Sequence, residues 1–170
     1  VRKGWHVLDV ACGPGIASRA AARRAAQPGS VHAVDLAPGM VKLASSRPAG
    51  KRSAPIEFRV MDAQKLELPD ASCDAAICQL GLMLFARPDA ALAEMRRVVV
   101  PGGPVACLVQ GRRSAMLFTA LVMDAIIARA PQLRAPKGAP TLYAFGPDGI
   151  LEESFARAGL SLLADQLHRF

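Results

Sequence analysis

The chain has 170 residues, 52% hydrophobic and 21% charged, a balance that builds a packed core and excludes an intrinsically disordered chain. Its formal net charge of +7 is spread over scattered pairs (Arg23/Arg24, Lys51/Arg52, Arg96/Arg97, Arg112/Arg113) and only 5% of residues are aromatic, so it reads as solvated surface and argues against nucleic acid as partner. No stretch approaches the roughly 18 apolar residues of a membrane span. The four cysteines form no C-x-x-C pair, so no metal or disulfide framework is expected, and reduced thiols in a cytoplasmic protein without a secretory leader are the default.

Short β-branched runs alternate with alanine-rich runs along the chain, the pattern of a parallel α/β sheet in a single domain spanning 1–170. Residues 6–10 (HVLDV) read as the first strand, followed by a glycine turn and a helix over 16–26. A second strand over 30–34 ends at Asp35, Pro38 opens a helix to about Ser46, and 56–60 is the third strand. The fourth strand is expected over 73–79 and a helix over 89–99, with Leu92, Met95 and Val99 along one face. After Pro101-Gly102-Gly103 comes a fifth strand, 105–110, with Pro104 required to sit at its very start. A long apolar helix over 114–130, expected to be buried or to form a lid, a helix over 148–158 and a sixth strand over 160–167 complete the reading.

In such a sheet the ligand crevice lies outside the carboxyl ends of the strands, where the strand order reverses. Asp9-Val10-Ala11-Cys12-Gly13-Pro14-Gly15 stands at that end of the first strand. Its glycines let backbone approach a ligand, and Asp9 can accept from a cationic amine or support the loop. Asp35 ends the second strand, where a carboxylate can take both hydroxyls of a ribose or cap the helix after Leu36-Ala37-Pro38. Either an adenosyl or a nicotinamide cofactor fits these two features.

Met61-Asp62-Ala63-Gln64 after the third strand, then Leu68-Pro69-Asp70 and Cys78-Gln79-Leu80-Gly81-Leu82, narrow the choice. With V-L-D-V-A-C-G-P-G, V-D-L-A-P-G-M and A-L-A-E-M-R-R-V-V-V-P-G-G, they make five ordered motifs along nearly the whole chain. The chain resembles the ubiquinone/menaquinone-biosynthesis-like (type 11) branch of the class I S-adenosylmethionine-dependent methyltransferases. The resemblance implies a three-layer Rossmann-like α/β sandwich with a mostly parallel sheet, trimmed at both ends relative to the family. It implies S-adenosyl-L-methionine as cofactor. Asp9, Gly13 and Gly15 would surround the methionine part, and Asp35 with the adjoining Leu36 the ribose. Asp62 would meet the adenine amino group, Ala63 would lie beside it through its amide, and Gln79 would stand near the sulfonium. Two departures stand out. Ala11 occupies a position where relatives have glycine, and Ser18 stands where a dinucleotide fold wants its third glycine.

The expected activity is methyl transfer to a small, apolar or ring-containing acceptor. A noncatalytic S-adenosylmethionine-binding module and an NAD-dependent oxidoreductase are the alternatives. The sequence assigns no covalent nucleophile, general base or metal ligand, and leaves the oligomeric state open. His6 and His32 sit at strand starts, away from the crevice, and read as structural; His168 has no assignment. Cys12 and Cys78 read as small buried side chains, and Glu94 and Arg97 as ordinary helix-surface charges. Arg112 and Arg113 read as solvated charges that could meet an anionic acceptor. Met83, Leu84 and Phe85, with Met116, Leu117, Phe118 and Leu121, are candidates for an apolar chamber, and core packing accounts for them equally well.

Overall fold

Strands that are apolar on both faces must be covered on both, and that requirement organises the computed structural model, which describes residues 1–136 and 139–167. β1 (His6–Val10), β2 (Ser30–Asp35), β3 (Ile56–Val60), β4 (Ala75–Gln79) and β5 (Val105–Leu108) form one parallel sheet in the order β3-β2-β1-β4-β5. β1 is central, and Val7, Leu8 and Val10 have no exposed surface. Asp9 has none either, which makes it the polar intruder in the innermost strand.

One face is covered by α1 (Ile16–Ala25), whose Ala21, Ala22 and Ala25 are small enough to bring the helix close over Val7, Val31 and Ala33. α2 (Pro38–Ser45) lies beside it against β2 and β3. The other face carries α3 (Pro88–Val98), which buries Ala91, Leu92, Met95 and Val98 as one stripe. α5 (Ile150–Arg157) packs beside α3 and adds Phe155 to the same core. The three layers and parallel sheet agree with expectation, and Pro104 precedes β5 while its carbonyl accepts from the Ala76 N–H at 3.0 Å.

Three features differ. Residues 160–167 form no strand: Leu160 and Leu162 pack partly against the core, but Leu163 is 91% and Leu167 73% exposed, so the apolar anchoring stops short of carrying the segment along the sheet. β4 begins at Ala75, because Cys73 makes only an isolated bridge to Val99, and β5 ends at Leu108. The apolar helix α4 (Leu117–Arg129), preceded by a short 3-10 turn at Arg113–Ala115, buries only Ala120. Its apolar residues point outward, with Phe118 82% exposed, so they form neither core nor a closed chamber. Among the described residues, no helix is long and apolar enough to cross a membrane.

Candidate cofactor site

Parallel register delivers the ends of β1, β2 and β3 to one edge of the sheet, Val10 beside Val34 and Asp35 beside Val60. The strand order reverses between β1 and β4, which places the crevice directly above Asp9, Ala11 and Gln79. The chain leaves β1 through three residues of positive φ, Ala11 (53°), Gly13 (51°) and Gly15 (77°), before α1 starts. A Cβ on Gly13 would meet nothing within 4 Å, so this loop presents bare backbone to open space. Gly15, by contrast, is boxed in by Arg19 and the Phe58 ring. Arg19 donates to the carbonyls of Pro14 and Ala44, tying the loop to α2.

Asp35 joins the three strand ends. Its Oδ2 accepts the Gly13 N–H at 2.8 Å and its Oδ1 the Ala37 N–H at 2.9 Å, while its backbone carbonyl accepts the Met61 N–H at 3.1 Å. The glycine loop, the start of α2 and the loop after β3 are thus fastened to one residue. A carboxylate has about four acceptor directions, so two remain for a ligand diol. Leu36, next along, is 68% exposed at the rim.

Asp9 lies beneath the loop. Its Oδ2 accepts from Ser18 Oγ at 2.5 Å, and its Oδ1 is buried without a partner. Burial, with a contribution from Asp35, pushes its carboxyl up to about 6 despite the opposing Ser18 hydrogen bonds. An orphaned buried acceptor is costly unless something completes it, and a cationic amine in the crevice has the right charge. Ser18 is the residue that sequence reasoning passed over. In the sequence it stands out only for not being glycine, yet it is fully buried and donates to Asp9 Oδ2. A hydroxyl at the third residue of a helix, next to a strand that carries a carboxylate at its end, is the available signal.

After β3, Asp62 is exposed and its Oδ1 accepts the Gln64 N–H at 2.8 Å, which holds its carboxyl below the usual range. Ala63 is buried beside it at 7% exposure. Gln64 Oε1 in turn accepts the Arg87 N–H at 2.9 Å. Gln79 is exposed at the tip of β4, and Leu80 follows with a φ of 58°. Gly81 is dictated by closeness: a Cβ there would come within 2.4 Å of the Ala11 Cβ and 3.1 Å of Cys78 Sγ. Every residue picked out at a strand end therefore lies along one edge.

Burial and the nearby Asp9 and Asp35 push the Cys12 thiol up to about 12, so it behaves as a small apolar side chain. Cys78 is likewise buried. His6 bonds Ser30 at the opposite edge, and His32 lies 3.0 Å from Glu57 on the sheet face. His168 is outside the described residues. Arg112 and Arg113 are engaged by Asp148 and Asp124. A cavity of about 280 Å³ opens beside the crevice, lined by Leu82, Met83, Phe85 and Phe145. Phe85 stands 3.7 Å from where a Gly81 Cβ would be, which links the cavity to the glycine loop. Leu84 and α4 do not contribute to it.

A parallel 3-2-1-4-5 sheet whose first turn is a glycine loop pinned by the acid of the second strand defines a Rossmann-like fold that binds an adenosine-bearing cofactor at its switch point. The family model described as a methyltransferase domain matches residues 7–103, more than half of the chain, and the chain belongs to that family, of the class I S-adenosylmethionine-dependent type. It is similar to the ubiquinone/menaquinone biosynthesis C-methyltransferase UbiE of Bordetella avium, 40% identical over 108 residues covering 64% of this chain and 42% of that protein. The enzyme of the same name from Paraburkholderia phymatum is 39% identical over 103 residues, 61% of this chain and 42% of the relative. The chain thus spans less than half the length of these curated relatives. A solved S-adenosylmethionine-dependent methyltransferase from Methanosarcina mazei shares the fold, with a TM-score of 0.68 and 20% identity over 93% of this chain and 80% of that one.

Proposed function

We propose that the chain binds S-adenosylmethionine across the tips of β1, β2 and β3 and delivers its methyl group to a small apolar or ring-containing acceptor. The observation that carries this reading is Asp35, which pins Gly13 by a 2.8 Å bond while keeping acceptor capacity toward the crevice. The fit of the cofactor rests on two further features: the open space over Gly13 and the orphaned, buried Asp9 Oδ1 below it. Asp9, Gly13 and Gly15 would hold the amino-acid half, Asp35 and Leu36 the ribose, Asp62 and Ala63 the adenine, and Gln79 would face the reacting end. Ser18, buried against Asp9 where a dinucleotide fold needs glycine, weighs against the nicotinamide alternative.

When bound, S-adenosylmethionine supplies a methyl group already activated by a cationic sulfur. The chain's own task is to hold an acceptor in line, about 3 Å from that carbon, and to exclude water. The open cavity bordered by Leu82, Met83, Phe85 and Phe145, with Ser154 and Arg157 also on its wall, offers about 280 Å³ in which such an acceptor could be held. Calorimetric titration with S-adenosylhomocysteine tests the binding half: one site is expected, and no heat of binding by the folded chain contradicts the reading. Transfer of labelled methyl to small ring acceptors then separates an enzyme from a binding module. Binding without transfer to any of them supports the module.

A further inference from the structure

The loop that carries Asp62 has to be held from outside, because after β3 it leaves the sheet until Ala75. Its near end is fixed by the Met61 N–H on the Asp35 carbonyl and by Gln64, and its far half is gripped by two side chains of α3. Arg97 Nη2 donates to the Leu66 carbonyl and Nη1 to the Leu68 carbonyl, both at 2.9 Å, and Nη1 also reaches Asp70 Oδ1 at 2.6 Å. Glu94 receives the same guanidinium on both oxygens at 2.8 Å, and its Oε2 additionally accepts the Leu66 N–H at 2.7 Å. Every donor edge of the planar fork is engaged, and two loop carbonyls and one loop amide are satisfied by a single ion pair.

The pair is not an ornament of the surface. The Glu94 side chain is 21% exposed and that of Arg97 31%, and Leu66 and Leu68 between them are buried in the core under α3. The fork has fixed geometry, so the position of α3 dictates the position of the loop backbone. At the other end of the same short loop the Asp62 carboxylate points outward and accepts the Gln64 N–H.

We propose that Arg97 and Glu94 are positioning residues that set recognition of the adenine ring by placing the Asp62–Ala63 edge at the correct height above the strand tips. The proposal rests on the adenosyl-cofactor reading above. It assigns to two helix charges a role in discriminating the base, which a role in stability alone does not include.

The test compares two ligands on one chain. S-adenosylhomocysteine carries the 6-amino group that can donate to Asp62, and S-inosylhomocysteine carries a carbonyl there. Calorimetric affinities for both are measured on the unaltered 170-residue chain, Arg97→Lys, Glu94→Gln and the milder Asp70→Asn. Circular dichroism first confirms that each variant is folded. Arg97→Lys and Glu94→Gln are expected to lower the preference for the adenine ligand about tenfold, with Asp70→Asn two- to threefold. Equal weakening of both ligands, or no change in either, overturns the proposal and leaves the cofactor reading standing. If Arg97→Lys does not fold, the Glu94→Gln and Asp70→Asn ratios decide in the same way. Failure of the unaltered chain to bind S-adenosylhomocysteine overturns the cofactor reading and this proposal together.

Discussion

Two regions of the molecule solve the same problem of exposed loops in opposite ways. At the tips of β1, β2 and β3 every loop is fastened to its neighbour: Gly13 to Asp35, Met61 to Asp35, and Gln64 to Arg87. After β5, the helix α4 is apolar yet leaves Leu117, Phe118 and Leu121 more than 60% exposed, and its charges pair only with surface partners such as Arg113 with Asp124. The first region is rigid because polar groups that must be satisfied find one another. The second is held by few contacts and presents apolar surface outward. Tight hydrogen-bond closure suits a cofactor of fixed shape.

The contrast is broken most forcefully at Gly81. Gly81→Ala drives a Cβ to 2.4 Å from that of Ala11, and a loss of about 3 kcal/mol in urea unfolding is expected. A neutral result would mean that the loops have room to spare. Asp35→Ala removes the anchor of Gly13 and Ala37 together with the ribose partner. S-adenosylhomocysteine binding is expected to weaken by about 1 to 3 kcal/mol, read by calorimetry.

Asp9→Asn sharpens the comparison by moving stability and binding in opposite directions. The folded chain holds the Asp9 proton to about pH 6 and the unfolded chain only to 3.8, so between these values the folded state binds more protons. Stability contributed by this group is full below pH 3.8 and declines as pH rises through about 6, leaving the buried charge destabilising at neutrality. Asp9→Asn should therefore unfold at higher temperature than the unaltered chain above pH 6, by a margin on the order of 1 to 2 kcal/mol that vanishes near pH 4. Its affinity for an amine-bearing ligand should fall. A destabilised Asp9→Asn at neutral pH would contradict the account of the buried carboxylate. The smallest effect belongs to α4: Phe118→Ser, at an 82% exposed position, should change unfolding free energy by less than about 0.5 kcal/mol.

The sheet was legible because its signals are local. HVLDV, the glycine turn and Asp35 each announce a strand end without help from distant residues, and the parallel order follows from the crossovers. What escaped depends on contacts that sequence spacing does not encode. Glu94 and Arg97 look like any i, i+3 pair until the loop 66–70 is folded onto them. Ser18 reads as a missing glycine until α1 brings it to Asp9. The expectation of a sixth strand failed because alternating apolar residues describe a strand only when a core receives them along its length, and the core that takes Leu160 and Leu162 in part leaves Leu163 and Leu167 mostly exposed. The expectation that α4 is buried failed for the reverse reason: apolar composition says that a surface should be covered, not that this chain covers it.

A structure of the chain with S-adenosylhomocysteine bound tests the central claim most directly. The account predicts one ligand lying across the three strand tips, its ribose hydroxyls on Asp35, its adenine amino group on Asp62 and its amino end above Asp9. A ligand seated elsewhere, or one whose ribose turns away from Asp35, would contradict it.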